Sequence, residues 1–161
     1  MLVKKVTTEL SRKYPGKTII ENKNSQGVTT EIIFELITGN ENPKQSVAMA
    51  VIDSSTMHYH KVITEKYRVI KGELIIFKYD ENQKQYAEDT VKKGKSIDIK
   101  PGEIHSTRGS ETWVEVTSTP AWFIEDYYNL ETILKKYLSK SWGVIAPSSR
   151  VDTHSPTVGS Y

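Results

Sequence analysis

The chain contains no cysteine. That absence removes disulfides, thiolate zinc sites and thiol nucleophiles together, so any metal would have to be held by histidine, aspartate or glutamate. A marked excess of either charge is also missing: 22 Lys and Arg stand against 20 Asp and Glu, a net +2. Such a balance does not draw nucleic acid by bulk electrostatics. No segment approaches the ~20 consecutive apolar residues that a membrane span needs. Residues Met1 to Tyr14 interleave Lys4, Lys5, Glu9, Arg12 and Lys13 with single apolar residues, unlike a signal peptide. The expectation is a cytoplasmic protein with neither a membrane nor a nucleic acid as partner. Phosphate-binding glycine loops, a dinucleotide fingerprint and a nucleophile elbow are absent too.

What is present suits one domain. The 161 residues fall within the roughly 100 to 200 typical of a single compact unit, and 37% apolar content can supply its core. Residues 17–22 and 28–38 are rich in Ile, Val and Thr around the Asn24, Ser25, Gln26, Gly27 cluster, which predicts a hairpin. Further strands are predicted over 47–52, 66–70, 73–79, 96–99 and 112–117, punctuated by Gly72, Gly94, Pro101, Gly102 and Gly109. Many short strands so spaced predict an all-β sandwich or barrel. Leu130, Ile133, Leu134, Tyr137 and Leu138 then recur at helical spacing behind Asn129, a residue suited to an N-cap. The expected organisation is N-terminal strands and hairpin over 1–44, a barrel core over 45–122, an amphipathic helix within 123–143 and a tail over 144–161. The tail is rich in Ser, Thr, Pro and Gly and holds His154, a histidine with no spaced partner.

The other three histidines lie inside the β region. His58 and His60 share one face of an extended segment, with Cα atoms roughly 6 to 7 Å apart, close enough for both to reach one ion. Glu65 at the start of the next strand can add a carboxylate oxygen. His105, on a strand brought alongside, would complete three nitrogens and one oxygen. Such ligands suit one divalent ion of the Fe, Mn, Zn, Ni or Co kind.

The spacing itself carries a resemblance. His58, Tyr59, His60, four residues, Glu65, six residues and Gly72 form one block; Gly94, then Pro101, Gly102, two residues and His105 form a second. The pair resembles the two motifs of the cupin superfamily over about residues 45 to 120. Two departures leave the ligand positions untouched: Pro101 directly precedes Gly102, and Gly109 stands where some members carry Asn. The resemblance implies a double-stranded β-helix, or jelly-roll barrel, with metal ligands His58, His60, Glu65 and His105 pointing into its mouth, and a homodimer. A shorter similarity, from Glu115 to Pro120 with Glu125 and Asp126 beyond, is to the sugar-isomerase-like cupins, including the phosphomannose isomerase group.

Further residues are candidates around that centre. Tyr67 shares a face with Glu65 and Val69 and is a candidate catalytic residue of the lumen. Lys61 and Arg108 are candidates to bind an anionic group of the substrate. If Trp113, Glu115 and Thr117 face the lumen, Glu115 is the best candidate for a general base; if Val114 and Val116 point inward, it is a solvated strand residue. Tyr127, Tyr128, Tyr137, Trp122 and Trp142 are expected to pack the C-terminal helix. The function expected is isomerisation or epimerisation of a small sugar or sugar phosphate. The alternatives are a mononuclear non-haem iron dioxygenase, which would use the same ligands, and a non-catalytic binding or sensor barrel.

Overall fold

The computed structural model describes residues 1–80 and 83–130. Among the described residues, ten strands follow one α-helix, α1 (Val3–Lys13): β1 (Ile19–Lys23), β2 (Thr29–Ile37), β3 (Ser46–Ser54), β4 (His58–Tyr59), β5 (Thr64–Lys71), β6 (Glu73–Asp80), β7 (Gln85–Lys92), β8 (Ser96–Ile99), β9 (Ile104–Thr119) and β10 (Tyr128–Asn129). All their pairings are antiparallel. The long strand β9 is the hub: its first part pairs β6 and β4, and its second part lies between β3 and β5. Curling the sheet around β9 gives an all-β barrel, as the sequence predicts.

Strand alternation divides the core into two layers. Ala50, Ile52, Tyr67, Val69, Leu74, Ile76, Ile99 and Val114 fill the barrel interior. Residues of opposite parity, Ile32, Phe34, Met49, Val51 and Trp113, face outward and are covered by Val6 and Leu10 of α1. Both faces of β3 are therefore buried, which explains the unbroken apolar run from Val47 to Ile52. Each fully buried Leu or Val contributes about 1.5–3 kcal/mol, and Leu10, Ile32 and Phe34 are all completely enclosed.

Two motif glycines meet one threonine. Gly72 has φ of +85°, favourable only for glycine. At Gly109 an added Cβ would lie 2.5 Å from Thr112 Oγ1 and 2.7 Å from the Ile52 carbonyl. Thr112 in turn donates to the Glu73 carbonyl at 2.7 Å, tying the β5–β6 turn to β9 where the β3–β9 register shifts.

The N-terminal segment holds a helix as well as the expected hairpin. Val3, Val6, Leu10 and Tyr14 recur at helical spacing and turn to the sheet. No side chain caps α1 and its first turn has no acidic residue, so the usual start signals were missing. Strand β7 also went unpredicted, because only Val91 of its eight residues is buried; backbone pairing along β6 holds it. The helix expected over 123–143 is replaced at its start by a 3-10 turn, Ile124–Asp126, and strand β10, because Tyr128 and Asn129 pair with β4; the part beyond Leu130 and the tail with His154 lie outside the described residues. Among the described residues no helix is long and apolar enough to cross a membrane.

Candidate metal centre

Local pairing assembles the histidines. His58 on β4 is the direct cross-strand partner of His105 on β9, with ring centroids 4.3 Å apart. Glu65 enters from β5 with Tyr67, whose hydroxyl donates to Glu65 Oε2 at 3.0 Å. All four predicted ligands are buried, His105 completely.

The ring nitrogens divide into two sets. His58 Nδ1 lies 2.8 Å from the Thr56 carbonyl, His60 Nδ1 2.8 Å from the Asp126 carbonyl, and His105 Nδ1 3.1 Å from the Glu103 carbonyl. A carbonyl only accepts, so each Nδ1 carries the proton, and each neutral ring presents the lone pair of Nε2. One ligand atom from each of His58, Glu65 and His105 lies within 4.8 Å of the other two. His60 Nε2 stands 3.6 Å and His105 Nε2 3.5 Å from Glu65 Oε2. These separations are too long for good hydrogen bonds, and both Nε2 atoms are buried without a partner. Lone pairs converging on a carboxylate repel one another unless a proton or cation lies among them. The donor set of His58, Glu65 and His105 therefore fits a divalent ion, with His60 outside that mutual cluster and reaching it through its approach to Glu65.

Electrostatics agree with that assignment. Burial would push the Glu65 carboxyl up, but when the rings are protonated a hydrogen bond from His105 and the charge on His60, His105 and His58 bring it down to about 2; a cation among neutral rings would favour the same ionised carboxylate. Burial, aided by His105, lowers His58 to about 4, so its ring is neutral near pH 7. The Tyr67 hydroxyl is driven well up by burial and by Glu65, and stays protonated.

Residues beyond the motifs hold this arrangement. Asp126 is buried in a 3-10 turn (Ile124–Asp126). Its Oδ1 accepts from Lys61 N at 2.9 Å, and its Oδ2 accepts from Val62 N at 3.2 Å and Ile63 N at 3.0 Å, clamping the loop that follows His60. Tyr127 lays its ring 4.7 Å from His58 and pairs its hydroxyl with Thr56 at 2.9 Å. Neither role has a sequence signal: Asp126 acts sixty-six positions from His60.

The centre opens into a cavity of about 490 Å³ whose lining includes His58, His60, Glu65, Tyr67, Glu31 and Trp122. Three predicted residues lie elsewhere. Glu115 projects from the opposite face of β9 to Val114, which is in the core; it forms a two-pronged pair with Arg68, at 3.1 and 2.9 Å. The reading with valines inward is the one the structure adopts, so Glu115 is not a base for this cavity. Lys61 is exposed, its Nζ 4.3 Å above the Tyr128 ring. Arg108 alternates away from His105 and Thr107 and stacks on Phe77 at 5.4 Å. Neither cation lines the cavity.

The fold recurs in solved structures. A variant of oxalate decarboxylase from Bacillus subtilis superposes with a TM-score of 0.64 at 17% identity, over 82% of this chain and 36% of that one. A second structure of that enzyme, concerned with its Mn(II) centres, gives 0.63 at 18% identity over the same shares of the two chains, 82% and 36%. A variant of Streptomyces PAC13 with uridine gives 0.58 at 14% identity, over 72% of this chain and 85% of that one. The chain spans about a third of the decarboxylase's length, 36%. No protein-family model and no curated protein sequence matches the chain. At these identities the likeness shows the fold, which is that of the cupins.

Proposed function

We propose that the chain is a metal-dependent enzyme that isomerises or epimerises a small hydroxylated compound of the sugar kind, with one divalent ion held by His58, His60, Glu65 and His105. The observation that carries this is the set of three Nδ1–carbonyl bonds, which leaves the Nε2 lone pairs free and sets those of His60 and His105 against the Glu65 carboxylate beside an open cavity. A bound ion would supply Lewis acidity, polarising a substrate carbonyl and acidifying the adjoining C–H, and a carboxylate of the cavity lining, Glu31 or Glu35, would take and return that proton. Tyr67 fixes the Glu65 carboxylate by its hydrogen bond and lines the cavity beside it. The Asp126 clamp and the Tyr127 ring hold the imidazoles in place before substrate arrives. The Bacillus enzyme described for its Mn(II) centres makes manganese the first ion to load, and the Streptomyces protein with uridine supports a ribosyl or related hydroxylated ligand. A homodimer is proposed as well, through the edge strand β1 and its exposed Ile19.

The test is NMR of aldoses and ketoses incubated in anaerobic D2O with the manganese-loaded chain. Deuterium entering the carbon beside the carbonyl is the expected result. Turnover only when oxygen is admitted would favour the iron dioxygenase, and metal bound without turnover would favour a binding barrel.

A further inference from the structure

One wall of the cavity comes from outside both motifs. Alternation along β1 and β2 turns Ile20, Asn22, Glu31, Ile33 and Glu35 to the cavity, while Ile32 and Phe34 pack under α1. Asn22 and Glu31 are cross-strand partners, and Asn22 Nδ2 donates to Glu31 Oε2 at 2.7 Å. That bond orients the carboxyl and leaves it further acceptor capacity. The same lining carries the buried, unpartnered Nε2 of His60, so the Glu31 wall belongs to a ligand site and is not a stray acidic patch.

The charge on the lining is uneven. Three carboxyl groups, Glu31, Glu35 and Glu65, share it with one cationic side chain among the described residues, Lys23. Phosphate recognition ordinarily uses an arginine fork, a lysine or a helix N-terminus. Lys61 and Arg108, the two cations expected to meet an anionic group, are engaged on aromatic rings outside the cavity. A neutral polyol, by contrast, brings hydroxyl donors to the carboxyl acceptors.

We propose that Glu31, braced by Asn22, is a substrate-binding residue that accepts a hydroxyl of an uncharged polyhydroxy substrate and discriminates against its phosphorylated counterpart. This rests on the metal-centre reading above and names the substrate class for it. It withdraws the sugar phosphates from the candidate substrates and assigns the N-terminal hairpin a part in selecting the rest.

The experiment uses the full chain loaded with Mn(II) and two probes, D-fructose and D-fructose 6-phosphate. Binding is read from the fall in the water-proton relaxation enhancement of the bound manganese. Fructose is expected to lower the enhancement, with its 6-phosphate weaker by about tenfold or more, roughly 1.4 kcal/mol. Glu31→Gln is expected to bring the two within about threefold while manganese content stays at the wild-type level. Asn22→Ala, at an exposed position, should move the ratio in the same direction by less. Equal or tighter binding of the phosphate by the wild type, an unchanged ratio in Glu31→Gln, or no response to either sugar would each overturn the proposal. Failure of the wild type to take up manganese would instead strike the metal-centre reading itself.

Discussion

His60 and Asp126 are joined twice across sixty-six positions: the His60 ring donates to the Asp126 carbonyl, and the Asp126 carboxylate accepts the next three backbone N–H groups after His60. One buried residue thus sets the tautomer of a ligand through its backbone carbonyl and the path of the following loop through its carboxylate. Asp126→Ala would leave three N–H groups without their acceptor. It is expected to destabilise the fold by on the order of 3 kcal/mol and to weaken metal binding by about 10–100-fold. Urea unfolding and metal titration of the variant check both effects.

Glu115 serves as the outward control. Its pair with Arg68 is half-exposed, and such pairs contribute under about 1 kcal/mol. Glu115→Gln should lower stability by no more than that and leave metal content unaltered. A loss of metal in this variant would return Glu115 to the site.

Gly109 tests the packing around Thr112. A methyl group there meets Thr112 Oγ1 at 2.5 Å and the rigid Ile52 carbonyl at 2.7 Å. Gly109→Ala is expected to cost about 1–3 kcal/mol by overpacking, measured by thermal or urea unfolding. A neutral effect would mean that β9 yields at this point.

The juxtaposition of His58, Glu65 and His105 was legible because these residues sit at fixed offsets on paired strands. Alternation placed Glu65, Tyr67 and Val69 on one face, and the two motifs foretold that His105 would come alongside His58. Other parts carried no local signal. Whether Glu115 or Val114 faces the lumen depends on which side of β9 the barrel closes, and the apolar layer under α1 means that Trp113 is buried on the outer side. Helix α1 was readable from Val3, Val6 and Leu10 once periodicity was weighed above the missing cap. Asp126 and the Asn22–Glu31 pair arise from contacts between distant segments, which spacing along the chain does not encode.

The Glu31 carboxyl gives the fold a distinctive pH dependence. Burial, with Glu65 nearby and against the Asn22 bond, raises it from 4.5 to about 7. The folded state therefore holds this proton more tightly than the unfolded chain. The group's contribution to stability is complete below its unfolded value of 4.5 and is lost as pH climbs through about 7. His58 works the other way: its folded value of about 4, below the unfolded 6.5, makes stability rise across that interval. In metal-free protein, Glu31→Gln should gain stability over the wild type as pH rises from about 4.5 to 7. Urea midpoints measured across this range should diverge; parallel curves would contradict the assignment.

Elemental analysis of the purified chain, wild type against His105→Ala, bears most directly on the centre. The expected result is one divalent ion per wild-type chain and its loss in the variant, with the fold retained by circular dichroism. Absence of stoichiometric metal from wild-type protein supplied with Mn, Fe, Co, Ni and Zn, or an unchanged content in His105→Ala, would contradict the account.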